Sequence, residues 1–386
     1  MDIFNTPISR KGTYCTQWDF CEDRFGVKDV LPFSISDMDL PIPDAITRAL
    51  KKRLEHPILG YSRWQHGEYL NAIVNWYHQQ YQTDIKPEWI TYSPSVMYSI
   101  AKAIELLTSH GDNILVFTPV YNAFFDVIKH SERNILTASL IIKNEGGYAI
   151  NWQDFDLKIK SAKMVLLCNP HNPTGTVWSE EELLKIATSC TRHNVWLCSD
   201  EIHSDFVYEA KFIPIMKVST YARQHTIACV SPTKSFNLAG LKVSAILVKN
   251  ESMKKKLKDY CSLIGISSIN IFAMEAVKAA YLKSNEWQQA LLTYLKDNRN
   301  LITAFVKRHA DQIVAFQPQG TYFYWMKFHT DIHERLLNEA GLILNHGAEF
   351  SSSCAAYERL NFACPRPLLQ EGLRRLDTLL KEIENE

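Results

Sequence analysis

Three short stretches hold the side chains that could do chemistry: "CNPHNPTG" at 168–175, "SDEIH" at 199–203 and "SPTKSFNLAG" at 231–240. Each follows a run of apolar, strand-forming residues, "KMVLL", "NVWLC" and "TIACV". Between them they supply an amine (Lys234), a carboxylate (Asp200), an amide (Asn172) and short hydroxyls (Ser231, Thr233). Lys234 lies between Thr233 and Ser235, a setting that suits a small anionic ligand. A surface lysine at a strand-to-helix turn would leave those hydroxyls without a purpose.

An amine, a carboxylate, an amide and hydroxyls at one sheet edge match what pyridoxal phosphate requires. The lysine bonds its aldehyde. A carboxylate beside the ring nitrogen favours the protonated, electron-drawing ring. The phosphate needs hydroxyls, backbone N–H groups and a cation.

Elements that would position these groups are legible. "SVMYSIAKAIELLTSHGD" sets Val96, Ile100, Ala103, Ile104 and Leu107 on one helical face, with Gly111 able to end the segment in the left-handed region. "NILVF" reads as a buried strand, and Ser179 with Glu182 forms a capping box ahead of Leu183, Ile186, Ala187 and Cys190. Apolar strands separated by amphipathic helices predict an α/β fold with a mainly parallel sheet covered on both faces. Ligands of such sheets gather at the carboxyl ends of the strands, where Asn169, Asp200 and Ser231 fall.

The chain of 386 residues suits one large domain and one smaller one. The boundaries expected are an N-terminal arm over 1–46 that joins the small domain, a large cofactor-binding domain over 47–284, and a small C-terminal domain over 285–386. Apolar residues at 46% and charged residues at 22% are a soluble globular balance. With 42 basic and 42 acidic residues there is no global field to draw nucleic acid or an acidic membrane, so a small molecule is the expected partner. None of the nine cysteines forms CxxC or a zinc-finger spacing, which argues against a disulfide framework or a structural metal. No signal-like or membrane-length apolar run is present, and a cytoplasmic location is expected.

Seven motifs in order, "DVLPFSISDMDLPIPDAI", "GYSRW", "SPSVMYSIA", "NPHNPTG", "SDEIHSD", "TKSFNLAGL" and "RLNFACPR", carry a resemblance over nearly the whole chain. The sequence resembles the fold-type-I, aspartate-aminotransferase-like pyridoxal-phosphate enzymes of the class I/II aminotransferase superfamily. Within them it is similar to the cystathionine β-lyase, or MalY/PatB-type C–S lyase, branch. The fold implied is a large domain around a mostly parallel sheet of the seven-stranded type, with a smaller α+β domain.

The resemblance makes Lys234 the Schiff-base lysine and the base that removes the substrate's α-proton. It pairs Asp200 with the pyridine nitrogen, Asn172 with the ring oxygen and Tyr121 with the ring face, although a tyrosine there can also be core. Ser231, Thr233 and Lys242 would hold the phosphate with the backbone amides of Ser95 and Val96. Lys242 stands where many aminotransferases carry arginine, and it binds as a point charge rather than a fork. Tyr61 would reach the phosphate of the other subunit of a homodimer, or else serve in packing. His203 occupies a position where aminotransferases usually place tyrosine, and it reads equally as a structural histidine. Arg359 would clamp the substrate carboxylate, though "GAEFSSSCAAYERLN" before it departs from the Gly-rich lyase pattern.

The reaction implied is α,β-elimination of cystathionine or a related cysteine S-conjugate to a thiol, pyruvate and ammonia. The same residues would serve a transaminase. A regulatory binding role is a third reading, and the absence of an appended helix-turn-helix or basic segment argues against direct DNA binding.

Overall fold

The computed structural model describes residues 2–386. Eight strands make the main sheet: β1 (Ile90–Ser93), β2 (Asn113–Thr118), β3 (Asn134–Ile142), β4 (Tyr148–Ile150), β5 (Ala162–Cys168), β6 (Trp196–Asp200), β7 (Thr226–Val230) and β8 (Ser244–Val248). Their spatial order is β1-β8-β7-β6-β5-β2-β3-β4. The five strands β3, β2, β5, β6 and β7 run parallel. β8 is antiparallel to β7, β1 to β8, and β4 to β3. Seven of these strands form the expected seven-stranded type of sheet, and the three-residue β4 adds an eighth at its edge. The short edge strand β4 returns along β3 through Gly146 and Gly147, at φ of 94° and 81°, which glycine adopts without a Cβ clash.

Seven helices frame the sheet and the site: α1 (Gly67–Tyr81), α2 (Val96–Leu107), α3 (Asn122–His130), α4 (Glu180–Arg192), the single turn α5 (Pro232–Ser235), α6 (Asn285–Arg308) and α7 (Arg366–Asn385). Strand residues alternate between two apolar layers, as the two-residue period dictates. Ile114, Val116, Met164, Leu166 and Ile227 pack with Ile100 and Ile104 of α2 and Phe124 and Ile128 of α3. Leu115, Phe117, Val165, Leu167 and Leu197 pack on the other face with Leu183 and Ile186 of α4 and Trp76 of α1. Each fully buried Leu or Ile favours this arrangement by about 1.5–3 kcal/mol over exposure. The capping box at α4 is present: Ser179 Oγ accepts the Glu182 N–H at 3.2 Å and Glu182 Oε2 accepts the Ser179 N–H at 2.8 Å.

A second, antiparallel sheet holds β9 (Ile313–Ala315), β10 (Phe323–Phe328), β11 (Asn345–His346) and β12 (Tyr357–Asn361), in the order β9-β10-β12-β11. The N-terminal segment attaches here: the Asn361 N–H donates to the Phe33 carbonyl at 2.8 Å, and the Asp39 N–H to the Ala363 carbonyl at 3.0 Å. Among the described residues no helix is long and apolar enough to cross a membrane, and no group of His, Cys, Asp and Glu could hold a metal ion. All nine cysteines are buried and unbonded.

Candidate active site

The sheet topology brings separate segments to one edge. Strands β2, β5, β6 and β7 present their carboxyl ends there, and antiparallel β8 presents its start. β1, antiparallel to β8, ends at the same edge and leads into α2. A cavity of about 240 Å³ opens at this edge, lined by Ser95, Val96, Tyr121, Asn172, Asp200, His203, Thr233, Lys234 and Lys242, with Ser36, Met97 and Cys168 also facing it.

Three of the singled-out residues stand elsewhere. Ser231 caps α5 from behind the cavity: its hydroxyl donates to the Val243 carbonyl at 2.6 Å and lies 2.7 Å from the Thr233 hydroxyl. Arg359 comes from β12 and reaches the site through Asn172, whose Oδ1 accepts from Nη1 at 2.9 Å. Tyr61 does not join the site; it is fully exposed (102%) in a segment without regular structure.

Asp200 is 4% exposed and its carboxylate accepts one hydrogen bond, from the Ile202 N–H at 3.0 Å. Burial pushes its pKa up to about 7 against that bond and the pull of Lys234. The Lys234 ammonium is pushed down to about 8, mainly by burial; Asp37 and Asp200 oppose the shift, while Arg359 and Lys242 add to it. Its Nζ donates to the Ser36 carbonyl and, at 2.8 Å, to the Ser36 hydroxyl. The Tyr322 hydroxyl donates to the same carbonyl at 2.8 Å.

His203 is buried among the rings of Phe206, Tyr322 and Phe323, and its Nδ1 has no hydrogen-bond partner. Burial drives its pKa well below the usual imidazole value, so it is neutral. Tyr121 heads α3, its ring 5.9 Å from that of Phe124 in an edge-on contact.

Arg359 is buried, with its guanidinium 4.1 Å from the Phe323 ring and 4.9 Å from that of Phe350. Its acceptors, the Asn172 and Asn345 amides at 2.9 and 2.5 Å and the Ser34 carbonyl at 3.0 Å, are all neutral. Burial lowers its pKa to about 10. A buried cation whose acceptors are all neutral has charge available to pair with an anion.

The loop after β5 holds Asn172 by close packing. Gly175 sits at φ 68°, and a Cβ there would meet the Cβ of Pro318 at 2.3 Å. Asn169 Oδ1 accepts the Trp178 N–H at 3.3 Å, and Trp178 Nε1 donates to the Cys168 carbonyl at 3.0 Å, closing the loop on its own strand.

These residues fit pyridoxal phosphate. The first turn of α2 leaves N–H groups without partners inside the helix, beside Thr233 and Lys242. Asp200 retains accepting capacity at the cavity wall, and Lys234 is a half-buried amine in the same cavity. Sequence reasoning missed Ser36, Tyr322 and Asn345. Ser36 lies within "SISDMDLP", a stretch that carries family resemblance but no spacing that points to chemistry.

The profile of the family described as aminotransferase class I and II matches residues 28–376. The chain belongs to this family. It is 35% identical to cystathionine β-lyase PatB of Bacillus subtilis, over 98% of this chain and 99% of that one. Protein MalY of Escherichia coli is 33% identical over 98% and 99% of the two chains. Among solved structures, cystalysin of Treponema denticola, which contains a pyridoxal 5'-phosphate cofactor, superposes with a TM-score of 0.93 at 30% identity, covering 98% of this chain and 99% of its own. The PLP-bound C–S lyase of Staphylococcus hominis gives 0.91 at 28% identity, covering 98% and 97%. The sheet and the overall fold are thus those of a fold-type-I enzyme.

Proposed function

We propose that this protein is a pyridoxal-phosphate-dependent C–S lyase that eliminates the sulfur substituent of cystathionine or a related cysteine S-conjugate, giving a thiol, pyruvate and ammonia with consumption of one water. The observation that carries the reading is the half-buried Lys234 amine, which shares one cavity with Asp200 and has its pKa lowered to about 8. The choice of C–S cleavage over transamination is supported by the likeness to lyases.

Arg359, its guanidinium held against the Phe323 and Phe350 rings, takes the substrate α-carboxylate. Asp200 pairs with the cofactor's ring nitrogen, Asn172 donates to its ring oxygen and Tyr121 covers its face. Thr233, Lys242 and the first-turn amides of α2 hold the phosphate, and Ser231 supports Thr233 from behind. When bound, pyridoxal phosphate supplies the electron sink that accepts the pair released at the substrate α-carbon. Lys234, as the free amine, removes the α-proton; the thiolate then leaves the β-carbon with its bonding pair. The lowered pKa leaves a useful fraction of neutral amine near pH 8. Ser36 offers two oxygens to the amine whenever it is not bonded to the cofactor.

The same reading places two copies together. Leu54, Ile58, Leu59 and Tyr61 form an exposed, largely apolar stretch, and a homodimer would cover it while carrying Tyr61 to its partner's phosphate site. A mixture of inactive Tyr61→Ala and Lys234→Ala proteins would then regain activity through hybrid dimers.

The central test is incubation of purified protein, loaded with pyridoxal phosphate, with cystathionine. Pyruvate and homocysteine should appear in equal amounts. A keto acid formed in step with amino-group transfer, with no free thiol, would make it a transaminase instead.

A further inference from the structure

Behind the cavity wall lies a second buried carboxylate. Asp205, five residues after Asp200, does not face the cavity, yet its two oxygens are engaged from two elements. Oδ2 accepts from the Ser235 hydroxyl; Oδ1 accepts from Trp76 Nε1 at 3.0 Å and from the Tyr81 hydroxyl. The Asp205 carbonyl is held in turn by Gln288 Nε2 at 2.9 Å, from α6.

Ser235 ends α5, the four-residue turn that carries Lys234. A single helical turn has little stability of its own. Its direction must be set from outside, and only a few ties do so. At the start, Ser231 caps it by accepting the Thr233 N–H at 3.1 Å. Beyond the end, Asn237 grips the N-terminal segment through the Met38 and Leu40 carbonyls at 2.9 and 2.8 Å. The tie next to the lysine itself is Ser235 to Asp205, which connects it to α1 through Trp76 and Tyr81.

We propose that Asp205 is a positioning residue for Lys234: acting through Ser235, it fixes the turn so that the lysine amine meets both the cofactor carbon and the substrate α-proton. This rests on the reading of Lys234 as the catalytic lysine. Small displacements at a reacting amine cost rate out of proportion to their size, while binding of the carboxylate at Arg359 is untouched.

The test compares holoenzymes of wild type, Ser235→Ala and Tyr81→Phe. Ser235→Ala removes the one hydroxyl joining the turn to Asp205; Tyr81→Phe removes a donor from the same carboxylate without touching the turn. Ser235→Ala should keep its visible cofactor band, lose about tenfold in kcat with KM unchanged, and shift the pH midpoint of that band by about half a unit or more. Tyr81→Phe should keep kcat and midpoint and lose only thermal stability. A Ser235→Ala protein with wild-type kcat and midpoint overturns the proposal, as do equal shifts in the two variants, which would mean general loosening. A wild-type protein that takes up no colour with pyridoxal phosphate overturns the functional reading itself.

Discussion

Asp200 and Asp205 are both buried carboxylates, one ending β6 and the other five residues on, and they are opposites. Asp200 accepts a single N–H, has its pKa raised to about 7 and borders the cavity. Asp205 accepts from three side chains and lies outside it. Burying a carboxylate is tolerated when its accepting capacity is filled. Asp205 is filled by the protein, so it serves the scaffold. Asp200 accepts less than its two oxygens could, and it does so at the cavity wall. Arg359 shows the same shortage with the opposite sign, since all its acceptors are neutral. Of the two aspartates, the one with accepting capacity to spare is the one that borders the cavity.

Removing the amine is the hardest blow to this picture. Lys234→Ala should lower elimination by about 10³-fold or more while the protein still folds; retained turnover would shift the site elsewhere. Asp200→Asn should cost about 10²–10³-fold in kcat, because a neutral amide cannot stabilise a protonated ring nitrogen. Arg359→Lys keeps the charge but loses the fork, so kcat/KM should fall about 10–100-fold, mostly through KM.

Burial of Asp200 also gives the fold a pH dependence. In the protein stripped of cofactor, Asp200 keeps its proton up to about pH 7, whereas the unfolded chain releases it near 3.8. Between those values the folded state binds more protons, so this group makes stability fall as pH rises. Asp200→Asn should abolish that fall and gain about 2 kcal/mol relative to wild type between pH 5 and 7, by urea titration at each pH. Tyr81→Phe, which takes one donor from Asp205, should lower stability by only about 1 kcal/mol, read as a reduced urea midpoint with the same slope.

The sequence disclosed the parts of the site whose signal is local. Asp200, Asn172 and Lys234 stand within a few residues of apolar strand runs, and the Ser179–Glu182 box announces α4 through two residues three apart. Apolar strand runs taking turns with amphipathic helices foretold a covered, mainly parallel sheet. Ser36, Tyr322 and Asn345 were illegible because their role depends on pairings between distant residues: 198 positions separate Ser36 from Lys234, and 286 separate it from Tyr322. Asp205 was hidden for a different reason. It stands within "SDEIHSD", yet no spacing rule says that a carboxylate there will meet Ser235, Trp76 and Tyr81. Tyr61 is legible only through family resemblance, since within one chain it touches solvent.

The grip on the N-terminal segment has a consequence for how the protein is made. Ser34 and Ile35 are held by Arg359 and Asn361, more than three hundred residues downstream. During synthesis the first forty residues leave the ribosome long before anything exists to receive them, and Lys234 emerges without its Ser36 neighbour in place. The pocket can close only when β12 has been released, so a chain stalled before its last few dozen residues would expose a half-built cofactor site.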